Sequence, residues 1–322
     1  MSIIFVFIDG VGLAPAGPDN PLASADTPAL HALLGGPLAL EAASGLRAGT
    51  AGLSPLPARA LLFKPIDATL GLPGLPQSGT GHVALLAGVN APALHGRHQP
   101  HFPPVALRPL LADQSIFRRT VARGRRATFA NPFGPGYWQA LAARRIRKSA
   151  SVIAAEGAGL RFRDGDDLRA GRAVSWDVTN AAMREREPGS GIPLVSPGQA
   201  GANLAGLARD HELVFYESFL PDLAGHGRLA AGDLPPVAGG SPVERQIRAV
   251  MALLDGLIGG VLAALRPADS LLITSDHGNV ESVAAPAHTR NPVPLLVAGP
   301  AAAAFAGVED IAGVAGAIMA AL

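Results

Sequence analysis

Cysteine is absent from the 322-residue sequence, which excludes disulfide bonds and thiolate metal ligands. Aromatic residues make up only 5% of the chain and charged residues only 16%, whereas hydrophobic residues reach 48%. This composition is typical of a soluble globular protein with enough chain to bury a full core, and it argues against intrinsic disorder.

An excess of charge of one sign is also absent. The chain carries 26 basic and 25 acidic residues, a formal net charge of +1, so charge gives no reason to expect a nucleic acid polymer as a partner. The longest apolar run, residues 253–265, contains Asp255 and is too short to span a bilayer. The first apolar run stops at Asp9 without preceding basic residues, so it predicts a buried strand and not a signal peptide. We therefore expect a cytoplasmic protein with no membrane partner.

Strand patterns and helix patterns alternate along the chain. Continuous apolar runs predict strands at residues 3–8, 212–219, 270–274 and 293–299. Residues 26–36 predict a helix capped by Asp26 or Thr27 and ended by Gly35, and residues 241–266 predict a long amphipathic helix. The pattern indicates an α/β fold with a mostly parallel central sheet and helices on both faces.

The weakest pattern lies between about residues 132 and 196, where glycine, arginine and short apolar pieces mix. We predict a small irregular insertion there, or a small cap over the active site. It is embedded in a single domain that spans residues 1–322.

Acidic residues and histidines cluster at the predicted strand ends, where ligands bind in such sheets. They are Asp9, Asp222, His226, Asp276, His277 and His288. A lone aspartate or histidine in a loop is usually a turn former or a surface residue, but their joint occurrence at several strand ends favours a metal centre. The mixture of carboxylate and imidazole suits Zn²⁺ or Mn²⁺, and six ligands are too many for one ion that keeps an open position. We therefore predict two divalent metal ions.

The stretch "PQSGTGH" at residues 76–82 places two hydroxyls, those of Ser78 and Thr80, just before an apolar helix. Free backbone N–H groups and the positive dipole end of a helix favour an alkoxide or a phosphate at such a position. The same residues suit an ordinary helix cap, so this stretch alone leaves both interpretations open.

The motifs "FIDGVG", "QSGTGH", "DLAGH", "SDHGN" and "HTRNPVPLLV" occur in this order. As a set they resemble the alkaline phosphatase superfamily, and most of all its branch with cofactor-independent phosphoglycerate mutase and phosphopentomutase. The resemblance covers about residues 1–95 and 205–300. It implies that one ion is held by Asp9, Ser78, Asp276 and His277, and the other by Asp222, His226 and His288.

The resemblance also implies that Ser78 is the nucleophile that becomes transiently phosphorylated, with Thr80 as the competing candidate. His82, Asn279 and Arg290 flank these residues and are candidate contacts for a small phosphorylated substrate.

A mutase must retain its product under an enclosing cap. The middle of the chain shows no match to the cap of phosphopentomutase, and the chain is short for the phosphotransfer domain of the glycerate mutase. We therefore predict a phosphoric-ester hydrolase that works through phosphoserine on Ser78. The alternatives are a phosphomutase, a phosphodiesterase or nucleotide pyrophosphatase, and a non-catalytic metal-binding protein.

Overall fold

The computed structural model describes residues 1–47, 59–229, 234–285 and 287–322. One sheet of seven strands forms the centre of this part of the chain, in the order β2-β3-β7-β6-β1-β5-β4. The strands are β1 (Ile3–Ile8), β2 (Gly45–Arg47), β3 (Leu61–Ile66), β4 (Ala127–Phe129), β5 (Leu213–Ser218), β6 (Ser270–Thr274) and β7 (Val293–Ala298).

Five of these strands run in the same direction. β1 pairs in parallel with β5 and β6, and β4 pairs in parallel with β5. β7 is antiparallel to β6, and β3 is antiparallel to β7, so β3 again shares the direction of β1. This confirms a mostly parallel sheet. The reversal of β7 brings its first residues to the edge where β1, β3, β5 and β6 end.

The helices cover both faces of the sheet. They are α1 (Pro28–Leu34), α2 (Ser78–Ala87), α3 (Ala91–His95), α4 (Arg108–Gln114), α5 (Ile116–Ala122), α6 (Pro135–Ala142), α7 (Ala150–Gly157), α8 (Gly165–Arg169), α9 (Ala181–Arg186), α10 (Pro197–Leu207), α11 (Leu220–Gly225), α12 (Pro242–Ala264) and α13 (Gly313–Ala321). Alternate residues of β1 point to opposite faces. Phe5 belongs to the core under α2, α4, α5, α7 and α13, and Val6 to the core under α1, α10 and α12. Helices on both faces were predicted, and this is confirmed.

The helix α12 begins as its sequence predicts. Ser241 and Glu244 form a reciprocal capping box at its start. Among the described residues, α12 is the one helix long and apolar enough to cross a membrane by length and composition, and 56% of its most apolar window is buried. It packs closely on α10: a Cβ added to Gly260 would lie 2.1 Å from the carbonyl oxygen of Gly198. These contacts are those of a core helix.

The start of α1 differs from the prediction. Thr27 occupies the cap position, but it makes no side-chain capping bond. Instead, the buried carboxylate of Asp255 on α12 accepts hydrogen bonds from the backbone N–H groups of Ala29, at 2.9 Å, and Leu30, at 2.7 Å. A charged acceptor from a distant element thus replaces the local cap. Gly35 ends the helix in the left-handed conformation, as predicted.

The segment predicted as an insertion, residues 132–196, contains α6, α7, α8 and α9. Val152 and Ala154 of α7 are completely buried in the core that α2 also contacts, so α7 belongs to the helical layer of the sheet. A capping role for the rest of the segment stays a prediction.

Candidate active site

The predicted ligands meet at one edge of the sheet. Asp9 directly follows β1, Asp276 and His277 follow β6, and Ser78 opens the helix after β3. Asp222 and His226 lie in and just after α11, which follows β5, and His288 precedes the reversed strand β7. The sheet topology therefore gathers five chain segments that are far apart in sequence.

The first group of ligand atoms comprises Asp222, His226 and His288. The Nε2 atoms of the two histidines are 3.3 Å apart, and Asp222 Oδ1 is 3.4 Å from each of them. An ion bound tetrahedrally at ~2.0–2.1 Å holds its ligand atoms about 3.3–3.4 Å apart, so this triangle fits a zinc-sized cation. Burial lowers the pKa of His226, which favours the neutral imidazole that a metal requires.

The second group comprises Asp9, Ser78, Asp276 and His277. His277 Nε2 lies 3.0 Å from Ser78 Oγ, 3.1 Å from Asp9 Oδ1 and 3.6 Å from Asp276 Oδ2. Both Asp276 and His277 are completely buried. Asp9, Asp222 and His277 also form a group with ligand atoms within 4.8 Å of one another, so the two groups are neighbours.

Several buried polar atoms in this region have no hydrogen-bond partner among the described residues. They are Asp9 Oδ1, both carboxylate oxygens of Asp276, and His82 Nε2. Buried carboxylate oxygens without partners are costly, and they are rare in folded proteins. A divalent cation would satisfy the carboxylates. The residues present therefore fit the metal centre that the sequence predicts.

The protonation of the metal-free centre follows from its charges. Burial raises the pKa of Asp9, but the adjacent positive charges of His277 and His82 outweigh the effect of burial and hold the pKa well below its usual range. Burial lowers the pKa of His277, but the carboxylates of Asp276 and Asp9 raise it to about 9. Imidazolium protons thus balance the carboxylates until metal ions replace them.

His82, a candidate substrate contact, is buried against the two carboxylates of the second group. Its Nε2 lies 3.3 Å from Asp276 Oδ2 and 3.6 Å from Asp9 Oδ2. Asp9, His82 and Asp276 form a third group of possible ligands within the described residues. The ring lies edge-on to Phe7, with ring centroids 4.7 Å apart. Substrate contact by His82 stays a prediction.

The two hydroxyls of "PQSGTGH" have different surroundings. Ser78 is half-buried, is the first residue of α2, and has its hydroxyl on His277. Thr80 is completely buried; its hydroxyl donates to the carbonyl of Gln77 at 3.3 Å and accepts from the backbone of Gln99 at 3.2 Å. Only Ser78 has its hydroxyl among the metal-binding groups.

The glycines of the same motif allow the start of α2 to approach its neighbours. A Cβ on Gly81 would lie 2.8 Å from the Cβ of Asp276, and one on Gly79 would lie 2.5 Å from the carbonyl oxygens of Gln99 and Phe102. Any larger residue would push Ser78 away from the metal ligands. This explains the alternation of glycine with polar residues.

The other two candidate substrate contacts already have protein partners. The buried Asn279 donates from Nδ2 to Asp222 Oδ1 at 2.7 Å and so orients a predicted ligand. Arg290 is exposed and donates to the carbonyl of Gly74 at 2.8 Å. A role for either of them in substrate binding stays a prediction.

Two buried acids near the centre were missed in the sequence. Glu281 accepts hydrogen bonds from three of the loops that carry ligands. Glu217 lies on β5 beside Ser151, and burial raises its pKa to about 7. The available signal for Glu217 was a charged residue inside an otherwise apolar strand. Glu281 lies two residues beyond "SDHGN" and gave no signal of its own.

Comparison with known proteins supports the resemblance to the superfamily. A family model described as Metalloenzyme superfamily matches residues 237–322, which include Asp276, His277 and His288. The 2,3-bisphosphoglycerate-independent phosphoglycerate mutase of Roseobacter denitrificans is 32% identical over 145 residues, covering 41% of this chain and 26% of the mutase. That of Syntrophotalea carbinolica is 44% identical over 73 residues, covering 20% of this chain and 14% of the mutase. The chain thus spans only a minor part of these mutases.

Among solved structures, the chain is similar to the alkaline phosphatase from the Antarctic bacterium TAB5. The TM-score is 0.50 at 13% sequence identity, and the match covers 99% of this chain and 97% of that one. At this identity the similarity shows the fold, a mixed α/β sandwich around the same kind of sheet. Together with the family match and the related mutases, the fold supports one conclusion. The chain is similar to the metalloenzymes of the alkaline phosphatase superfamily in its C-terminal sequence, in its related mutases and in its fold.

Proposed function

We propose that the protein is a two-metal phosphoric-ester hydrolase that acts on small phosphorylated substrates through a phosphoserine intermediate on Ser78. The observation that carries the proposal is the position of the Ser78 hydroxyl, 3.0 Å from His277 Nε2 and at the first residue of a ten-residue helix. A hydroxyl there is close to the predicted metal ligands, and it lies at a helix end that favours negative charge.

In the proposed reaction, Ser78 Oγ forms a bond to phosphorus and loses its proton while the ester oxygen of the substrate leaves and takes up a proton. Water then attacks the phosphoserine, releases inorganic phosphate and restores the Ser78 hydroxyl. The two ions, Mn²⁺ or Zn²⁺, would lower the pKa of the hydroxyl and neutralise charge on the phosphoryl oxygens. The first two N–H groups of α2, those of Ser78 and Gly79, have no backbone acceptor among the described residues and can donate to the phosphoryl group.

The exposure of the first ligand group supports hydrolysis. The side chains of Asp222 and His226 are 17% and 20% exposed, whereas those of Asp276 and His277 are completely buried. Solvent therefore reaches the first group, next to the place where water must attack the phosphoserine.

A phosphomutase is the second candidate, because the related curated proteins are named phosphoglycerate mutases. In that case the phosphoryl group would return from Ser78 to another oxygen of the same substrate. The two candidates share the nucleophile and the metal centre, and they differ only in the acceptor of the phosphoryl group.

The test is a screen of phosphomonoesters, phosphodiesters and phospho-sugars with the protein loaded with Mn²⁺ or Zn²⁺, in which both free phosphate and isomerised product are measured. We expect release of phosphate that is abolished in Ser78→Ala and retained in Thr80→Ser, which keeps the buried hydroxyl. Isomerised product without free phosphate would contradict the hydrolase proposal and support the mutase. Unchanged turnover in Ser78→Ala would show that the nucleophile assignment is wrong.

A further inference from the structure

Glu281 is a buried carboxylate that the proposed reaction does not use. Its side chain lies just beyond the loop after β6, and the residue is only 1% exposed. Oε2 accepts from the backbone N–H groups of Gly12, at 2.9 Å, and Asn279, at 2.8 Å. Oε1 accepts from the hydroxyl of Thr289 and from Asn291 Nδ2 at 3.0 Å. Each oxygen thus accepts two hydrogen bonds, and the carboxylate is saturated.

The four donors come from three loops, and each loop carries predicted metal ligands. Gly12 lies on the loop that begins with Asp9, Asn279 follows His277, and Thr289 is the residue after His288. Glu281 therefore joins the loops of both ligand groups through one carboxylate.

The backbone around Glu281 is built to admit this carboxylate. A Cβ added to Gly12 would lie 2.3 Å from the Glu281 carboxyl carbon, and a Cβ added to Gly278 would lie 2.3 Å from Oε1. Only glycine leaves room at these two positions. In the motif "DGVG", Gly10 approaches Asp222 and Gly12 approaches Glu281. In "SDHGN", Gly278 approaches Glu281.

A further contact extends from Glu281 to a fourth ligand-bearing segment, α11. The backbone of Asn279 donates to Glu281, and the side chain of the same residue donates to Asp222 Oδ1 at 2.7 Å. The carboxylate thus fixes the residue that orients Asp222, which belongs to the first ligand group and also lies beside Asp9 and His277 of the second.

We propose that Glu281 is a positioning residue that sets the geometry of both metal groups by holding their three loops together. The inference rests on the metal centre of the proposed function. Partners behind metal ligands orient them, and their loss typically weakens metal binding 10–100-fold.

The variant Glu281→Gln tests this role with little change in volume. A glutamine offers one acceptor oxygen, and its NH₂ group would face two donors in place of the second carboxylate oxygen. We expect the dissociation constant for Zn²⁺ to rise about 10–100-fold. The affinity is measured on the folded, chelator-stripped full chain by competition with a chromophoric chelator, and circular dichroism checks the fold.

Asp255→Asn is the matched control, because Asp255 is also a buried carboxylate that accepts from two backbone N–H groups, but these groups belong to α1 and not to a loop that carries ligands. It should lower stability and leave the Zn²⁺ affinity unchanged. Thr289→Val removes one of the four donors and should weaken Zn²⁺ binding less than Glu281→Gln does. If Glu281→Gln does not fold, Thr289→Val decides in its place.

Failure of wild-type protein to bind Zn²⁺ or Mn²⁺ would overturn the metal centre itself. Binding by wild type with equal affinity in Glu281→Gln would instead overturn the positioning role alone. Equal weakening in Asp255→Asn would also overturn it, because the effect would then follow from lower stability. Recovery of Zn²⁺ occupancy in Glu281→Gln at higher Zn²⁺ concentration would support it.

Discussion

The pH dependence of stability should depend strongly on Glu217. This residue is 3% exposed on β5, and its carboxylate accepts a hydrogen bond from the hydroxyl of Ser151. Burial raises the pKa of Glu217 from 4.5 to about 7, because the hydrogen bond and the positive charge of His82 do not offset the loss of solvation. The replacement Glu217→Gln keeps the shape and the acceptor but removes the charge.

The expected size follows from the shift of 7 − 4.5 = 2.5 units, which at 1.36 kcal/mol per unit corresponds to about 3 kcal/mol. The folded state holds this proton more tightly than the unfolded state, so the ionised form opposes folding. The contribution of Glu217 to the free energy of unfolding is favourable below pH 4.5. It is lost as pH rises from 4.5 to about 7, and it stays lost above that.

The assay is urea unfolding of the metal-free protein in chelator between pH 5 and pH 8. Wild type should lose about 2.5 kcal/mol more than Glu217→Gln over this range, because a small part of the effect is already lost at pH 5. Glu212→Gln is the control: the Arg126 guanidinium and backbone lower the pKa of Glu212 to about 2, so Glu212 is already ionised throughout the range. If the free energy of unfolding changes with pH equally in wild type and in Glu217→Gln, the reasoning is refuted.

Three further outcomes are expected. Because the pKa of His277 is raised to about 9, its proton must leave when metal binds, and metal affinity should fall up to about tenfold per pH unit below that pKa. A dissociation constant for the metal that does not change with pH would contradict this. Gly81→Ala should reduce metal occupancy, measured by elemental analysis, because its Cβ would lie 2.8 Å from the Cβ of Asp276; full occupancy would show that the helix can shift. Asp255→Asn should lower the free energy of unfolding by about 1–3 kcal/mol, because two N–H groups of α1 lose a charged acceptor. An unchanged urea midpoint would exclude that capping role.

The clustering of the ligands could be predicted from the sequence because it depends on topology. Parallel strands end at one edge of a sheet, so polar residues after apolar runs, such as Asp9 and Asp276, must come together. The position of His288 was harder to predict, since this residue precedes its strand and does not follow it. It reaches the same edge only because β7 runs antiparallel to β6, and no local pattern specifies that reversal.

Contacts between distant elements could not be predicted in the same way. The cap of α1 comes from Asp255, more than 200 residues later, while Thr27 occupies the cap position and makes no capping bond. Glu281 is likewise defined by its partners on other loops and not by its neighbours in sequence. Ser78 could be preferred over Thr80 only through the resemblance, because both hydroxyls suit the start of a helix; their burial and partners now separate them.

The most direct test of the proposed mechanism is to identify the phosphorylated residue. Metal-loaded protein is mixed with a phosphomonoester that it turns over and quenched in acid, and the peptide that contains residues 76–82 is sequenced by mass spectrometry. We predict phosphate on Ser78 in wild type and an unphosphorylated peptide in Ser78→Ala. Phosphate on Thr80, or turnover with no phosphorylated peptide at any quench time, would contradict the mechanism.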